Sequence, residues 1–272
     1  FVKLAYKEGY TTAEVTFSQL SLGVLGMLFI TVFQTKIRKI ETPKIQKKDF
    51  PKLLLVGTSL GFTSLFYYLS VAYINVSVAI VLLMQTVWMS VLLEAGLSKK
   101  LPSFQKIISV MIVLFGTLLA TNLIGKKVDL DWRGLFWGLM AASSFTTTMY
   151  ASNRIATYLP AYKKSLIMLF GGFTVIICFV LYSYDGGLNF SIFLKWGLIL
   201  SLFGTIIPPL LLNAGFPKAG LGLGSIVSSL ELPVSVLMAY FLLNESVSFV
   251  QWLGIALILT AIVIMNINFS KK

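Results

Sequence analysis

Long apolar runs alternate with short polar connections from one end of the chain to the other. Each run is about 20 residues long, the length that an α-helix needs to cross a hydrocarbon core of about 30 Å. The short connections favour antiparallel neighbours, and the longest one, 36–52, is too polar to enter a membrane. The pattern predicts nine membrane-spanning helices: 14–33, 52–73, 76–97, 104–122, 132–153, 163–184, 192–214, 217–243 and 246–268.

The chain opens on Phe1 to Tyr6, which have the character of the end of a further span. We therefore expect ten helices, with the first largely missing from this chain. Composition agrees with a membrane protein, since 57% of the residues are hydrophobic and 12% are charged, whereas soluble domains have about 25% charged residues. The sequence predicts an all-α integral membrane protein.

The net charge of +12 would suggest a nucleic-acid partner in a soluble protein. In a membrane protein, basic residues instead collect in the cytoplasmic loops. The predicted spans place sixteen of the 22 basic residues on one face. We therefore expect the lipid bilayer and no nucleic acid as partner, a bacterial cytoplasmic membrane, and both termini in the cytoplasm.

An internal repeat relates the two halves of the chain. An offset of 146 aligns 79–122 with 225–268 without gaps, with identities such as Gln105 with Gln251. Each half then holds five spans, an odd number, so the second half enters the membrane in the opposite sense. Inverted repeats of this kind are typical of secondary transporters, whose sites lie near the midplane between the halves. We predict a first repeat at 1–125 and a second, inverted repeat at 126–272.

Glu231 lies near the middle of a predicted span, where a charge costs about 2.5–3.5 kcal/mol. Gly224, Ser228, Glu231 and Ser235 are spaced so that they share one helical face. This stripe could line a pathway in which Glu231 binds a cation or an amine, or exchanges a proton. The alternative is a protonated glutamate hydrogen-bonded to a neighbouring helix.

The offset of 146 pairs Glu231 with Gln85, and Trp88 lies one turn further on. An amide and an indole could together contact an amphipathic substrate. The alternative is a hydrogen bond between helices beside a packing aromatic residue.

Prolines and polar residues in other spans are further candidates. Pro208 and Pro209 are expected to break or kink a span, and broken helices often mark transporter sites. A kink that merely improves packing is the alternative. Tyr67, Ser144 and Tyr150 could line a cavity, although packing and hydrogen bonds to their own helix explain them as well.

Little in the chain supports catalysis. Histidine is absent, a single cysteine lies in an apolar run, and no acidic residues have the spacing of metal ligands. The sequence has no GxxxxGK[ST] motif, the loop that binds nucleotide phosphates. We expect no enzyme activity, no cofactor and no metal.

Glu94, near the cytoplasmic end of its span, is expected to pair with Lys99 or Lys100. A channel or a lipid-handling protein remains an alternative to a transporter.

Residues 203–266 resemble the second repeat of EamA-type permeases of the drug/metabolite transporter superfamily. That family has a glutamate in a Glu-Pro-Val stretch, then a Gly-Glu pair and a Gln followed by a Gly. Here Glu231, Glu245, Gln251 and Gly254 match. Pro233 comes one residue late and is a further candidate for a hinge or kink, and Asn244 replaces the usual glycine. Residues 61–93 and 1–20 resemble parts of the first repeat.

The resemblance implies the ten-helix drug/metabolite transporter fold of two inverted five-helix repeats, with a central cavity and alternating access. It also implies secondary active or facilitative transport, in the direction of export, of small organic metabolites such as amino acids or amines. Protons are a candidate coupling ion, and monomer and homodimer both remain open. Nucleotide-sugar carriers and other organellar metabolite carriers of the same superfamily are the alternative.

Overall fold

Helices occupy all nine segments that the sequence predicts as spans. The computed structural model describes residues 2–38, 43–123, 131–183, 187, 189–243 and 246–266, and all regular structure in these ranges is helical. Single π-helical turns lie at Phe33–Ile37, Phe193–Gly197 and Leu202–Ile206. The helices are α1 Val2–Lys7, α2 Thr12–Val32, α3 Asp49–Tyr73, α4 Val76–Leu83, α5 Thr86–Ser98, α6 Phe104–Ala120, α7 Trp132–Arg154, α8 Ala161–Tyr182, α9 Leu198–Ser201, α10 Ile207–Ala219, α11 Leu221–Ser228, α12 Glu231–Leu243 and α13 Phe249–Asn266.

Six helical stretches have the length and apolar composition to cross a membrane. Two shorter apolar helices, Phe104–Ala120 and Phe249–Met265, accompany them. The protein is therefore a multi-pass membrane protein, while the total of ten spans stays a prediction. The six stretches are Thr12–Lys36, Asp49–Tyr73, Val76–Ser98, Ala161–Tyr182, Phe193–Ala219 and Leu221–Met238.

Side-chain caps fix where several of these helices begin. Thr11 and Glu14 form a capping box at α2, in which the Glu14 carboxylate accepts from the Thr11 backbone N–H at 2.7 Å. Ser248 and Gln251 do the same at α13, with the Ser248 N–H donating to the Gln251 side chain at 3.0 Å. These bonds satisfy backbone donors that a helix start leaves without a partner.

The boundary between the seventh and eighth predicted spans was wrong by several residues. We predicted a span ending at 214 and the next beginning at 217, but α10 continues through Pro217 to Ala219. The chain turns at Gly220, whose φ of +85° is accessible mainly to glycine. The residue that ends the helix is therefore this glycine and not the proline before it.

The helices pack into two compact units. The first comprises 1–68 with 147–218, and the second comprises 69–146 with 219–272. Each unit takes segments from both predicted repeats, so the units do not coincide with the repeats, whose boundaries stay a prediction.

Small residues allow close helix packing inside each unit. In the first unit, a Cβ at Gly57 of α3 would overlap the backbone of Met168 in α8. In the second, a Cβ at Gly254 of α13 would overlap the backbone of Gly116 and Ala120 in α6. Glycine at these contacts lets two helix backbones approach closely, which is how helices associate in membranes.

Candidate functional site

The span that carries Glu231 is interrupted directly before the glutamate. Helix α11 ends at Ser228, two residues form a turn, and α12 begins at Glu231. The span 76–98 has the same construction, because α4 ends at Leu83 and α5 begins at Thr86. In both spans a helix of 8 residues is followed by a two-residue turn and a helix of 13 residues. We call these the first and second breaks.

The backbone hydrogen bonds of the two breaks repeat as well. Two N–H groups of the first break and three of the second bond to the carbonyl three residues back, which tightens the chain between the helices. Three bonds of the first break, Gln85 N to Leu82 O, Val87 N to Met84 O and Met89 N to Gln85 O, recur in the second as Leu230 N to Val227 O, Leu232 N to Ser229 O and Val234 N to Leu230 O.

These bonds and the helix bounds define an offset of 145, one less than the sequence alignment used. At this offset Thr86, not Gln85, corresponds to Glu231, and Gln85 corresponds to Leu230. The run 90–92 then matches 235–237 residue for residue, as Ser-Val-Leu in both. The alignment missed this because apolar spans produce chance identities at neighbouring offsets.

The helices after the two breaks, α6 and α13, are antiparallel and cap each other. The Gln105 side-chain amide at the start of α6 donates to the Ile264 carbonyl near the end of α13. Reciprocally, the Gln251 amide at the start of α13 donates to the Ala120 carbonyl at the end of α6, at 3.2 Å. Two glutamines that the sequence alignment matched thus perform the same task on each other's helix.

At the first break the polar side chains bond to one another. The Trp88 indole N–H donates to Gln85 Oε1 at 2.8 Å, and the Gln85 amide donates to the Val81 carbonyl at 3.0 Å. Thr86 and Thr146 of α7 share a buried hydroxyl bond of 2.8 Å. Gln85 and Trp88, predicted as substrate contacts, are therefore joined to each other in this conformation.

At the second break the polar side chains do not bond to Glu231. Glu231 is exposed, and within the described part of the chain its carboxylate makes no hydrogen bond or ion pair. Ser228 and Ser229 instead bond to their own helix, at the carbonyls of Gly224 and Ile226. The alternative role for Glu231, a hydrogen bond to a neighbouring helix, has no counterpart in this arrangement.

The remaining predicted residues are distributed over both units. Ser235 is exposed on α12, one turn beyond Glu231, and Ser144 is half-buried on α7 in the same unit. Tyr67 and Tyr150 belong to the first unit, where the Tyr67 ring meets the edge of Tyr68 at 5.9 Å between centroids. Asn244 and Glu245, which the resemblance singled out, lie outside the described residues.

The predicted prolines do not break their span, which has a π-helical turn instead. Pro208 and Pro209 lie in the first turn of α10, directly after the π-helical turn Leu202–Ile206, within a helical stretch that runs from Phe193 to Ala219. Local π-helical geometry is one way in which a membrane helix accommodates the carbonyls that proline leaves without an N–H partner. Pro233 is the third residue of α12, in a first turn whose N–H groups have no partner inside that helix.

Two polar features of the first unit had no clear signal in the sequence. The Gln19 amide of α2 donates to Thr205 of the π-helical turn at 3.0 Å, packed against Gly204. Lys164 is fully buried in the first turn of α8 and donates to the Ser152 carbonyl at 2.8 Å. That carbonyl belongs to the last turn of α7, where a cation is favourable.

The predicted partner of Glu94 was also wrong. Its carboxylate pairs with Lys106 of α6 instead of Lys99 or Lys100. Lys99 adopts a left-handed conformation at the end of α5, which turns the chain so that the start of α6 returns to Glu94.

Interrupted apolar spans among helices that pack into two compact units are typical of polytopic membrane transporters. The chain belongs to the EamA-like transporter family, whose model matches residues 1–122 and 132–267. It is thus a membrane transporter of the drug/metabolite superfamily.

Two comparisons agree with this membership. The chain is 28% identical over 258 residues to a Salmonella typhimurium protein named as an uncharacterized inner membrane transporter, YicL, covering 91% of this chain and 83% of that protein. A protein of known crystal structure is similar with a TM-score of 0.69 over 94% of this chain and 86% of that one. At 14% identity, this second likeness shows the fold alone.

Proposed function

We propose that this protein is a secondary active or facilitative exporter of small organic metabolites such as amino acids or amines. It works by alternating access in the bacterial cytoplasmic membrane, with its site at the second break. The observation that carries the proposal is the exposed, unpartnered Glu231 carboxylate at the start of α12.

A cation suits this position on electrostatic grounds. Glu231 is the first residue of α12, where the partial positive charge of the helix start favours the ionised carboxylate, and that carboxylate offers a full negative charge to a cation. Substrate ammonium groups and protons are the cations that such a site would take. Half-helix ends of this kind recognise charged substrates and coupling ions in transporters.

The ten-helix architecture of two inverted repeats is part of the proposal. It is supported by the two breaks, which share segment lengths and hydrogen bonds, and by the reciprocal caps between antiparallel α6 and α13. Ser228 and Ser235 extend the polar face around Glu231. Alternating access follows if each break is a point at which its span bends.

A binding screen with a matched variant tests the proposal. The purified protein is screened against amines, amino acids and other metabolites for thermal stabilisation at several pH values. A ligand at 100 times its Kd stabilises the folded protein by about 2.7 kcal/mol. We expect a cationic ligand to lose this effect in E231Q, and in the unaltered protein to bind more weakly as pH falls, because protons compete for the carboxylate.

Glu8→Gln is the control, since Glu8 is an acid outside the spans. The Lys195 ammonium and the Trp196 indole, which donate to its carboxylate at 3.0 and 3.1 Å, hold the pKa of Glu8 below its usual value. E8Q should keep the wild-type ligand response. If E231Q also keeps both affinity and pH dependence, Glu231 is structural and the proposed site is wrong.

A further inference from the structure

An ion pair lies at the start of the half-helix that leads to Glu231. Glu94 of α5 and Lys106 of α6 pair with side chains that are 22% and 24% exposed. Such partial shielding makes the pair less screened by solvent than a surface pair. It joins the end of one helix to the start of the next, and it also contacts a third.

The third helix is α11, whose first residues fit around the carboxylate. A Cβ at Gly220 would lie 3.3 Å from Glu94 Oε1. A Cβ at Gly222 would overlap Glu94 Oε2 and approach Lys106 Nζ to 3.4 Å. Only residues without a side chain allow the pair to rest directly on the first turn of α11.

The charge of Glu94 also suits this location. The first turn of a helix has a partial positive charge, so a carboxylate beside it is stabilising. Glu94 therefore interacts with both Lys106 and the start of α11. Beyond this contact α11 continues along α5, where Ile226 of α11 packs with Val87 and Val91 of α5.

The position of α11 decides where Glu231 lies. From Gly220 to Glu231 the chain rises about 16 Å, at 1.5 Å per residue of helix. If the chain bends at the break after Ser228, movement of the first turn of α11 away from α5 would open the face of α11 that leads to the glutamate. The contact at Glu94 opposes that movement.

We propose that Glu94 and Lys106 form a latch that holds the start of α11 against α5 and α6, positions Glu231, and releases when the site opens to their side of the membrane. The role in transport rests on the proposed function. The mechanical role does not, because it concerns only how α11 is held.

Side-specific labelling tests the latch without any substrate. The native cysteine is removed by C178S, and a reporter is introduced by S228C at the end of α11. A membrane-impermeant maleimide is applied to each face of sealed vesicles in turn. We expect E94Q and K106Q each to raise the labelling rate from one face about two- to fivefold, the population change set by a partly exposed ion pair.

Three further variants separate a latch from a general loss of stability. G222A keeps both charges but places a Cβ where the carboxylate rests, so it should raise the rate as E94Q does. G96A, at a position of α5 where a Cβ meets open space, should leave the rate unchanged. The double variant E94Q/K106Q should exceed neither single variant, because the two residues act as one unit.

The proposal is overturned if E94Q and G222A lower the melting temperature yet label at the wild-type rate. It is also overturned if the effects of E94Q and K106Q add in the double variant. A rate change in the latch variants together with unchanged ligand binding in E231Q would instead reject the proposed function and leave the latch standing.

Discussion

The two breaks have the same backbone and opposite chemistry. At the first, Gln85, Trp88 and Thr86 all find partners within the protein. At the second, the serines bond to their own helix and Glu231 bonds to nothing in the described structure. The comparison shows that an interrupted span of this shape does not need an acid, since the first break forms without one.

Glu231 therefore adds no hydrogen bond or ion pair to the fold within the described residues. If the second break lies in the hydrocarbon core, as proposed, such a carboxylate is unfavourable by about 2.5–3.5 kcal/mol. Threonine, which occupies the matching position at residue 86, avoids the cost by bonding to Thr146. A carboxylate without a partner within the described protein is the group expected to gain from binding a cationic ligand.

The largest expected effect comes from making the breaks alike. Glu231→Thr places in the second break the residue that the first break has. We expect transport to fall roughly 30-fold or more, because losing a charged contact costs about 2 kcal/mol or more, while thermal stability stays equal or rises. Efflux from proteoliposomes and thermal unfolding measure the two quantities. An active but unstable variant would contradict the comparison.

At the first break we expect the opposite result, a loss of stability with little change in ligand binding. Gln85→Leu removes the acceptor of the Trp88 indole and the donor to the Val81 carbonyl, so we expect a loss of about 1–3 kcal/mol of stability from unsatisfied polar groups. Ligand affinity should change far less than in E231T. Q85E is the matched control, because it keeps the acceptor for Trp88 but loses the donor. If Q85L abolishes binding without loss of stability, Gln85 contacts substrate directly.

Much of this picture was predictable, and the limits have physical causes. The positions of the helices followed from apolar length, and Glu231 from its cost in a membrane. Through the breaks the offset is 145 and not 146, although Gln105 and Gln251 keep the offset of 146; the alignment missed the difference because apolar residues substitute for one another freely. The bonds of Gln85 and the burial of Lys164 depend on which helices meet. Gly220 ended a helix that Pro217 did not, because its backbone conformation excludes other residues.

A smaller effect is expected where the first break contacts α7. Thr86→Val and Thr146→Val each remove one half of the buried hydroxyl pair. We expect about 0.5–1.5 kcal/mol for either variant, with a double variant less destabilised than the sum, because the second substitution removes a group already left unpaired. Thermal unfolding of the four proteins gives the coupling. Strict additivity would mean that the two hydroxyls do not bond to each other in the membrane.

The smallest effect is expected at Ser229, and its size tests whether the breaks are alike in detail. The Ser229 hydroxyl donates to the Ile226 carbonyl at 2.6 Å, and Ile226 is the counterpart of Val81 at the offset of 145. That carbonyl also accepts the Ser229 backbone N–H at 3.2 Å, so Ser229→Ala leaves it with a partner. We therefore expect a loss below about 1 kcal/mol, smaller than in Q85L, with transport retained. A loss as large as that in Q85L would show that the second break depends on its side chains as much as the first. The contrast between a first break with paired side chains and a second break with an unpaired acid would then be wrong.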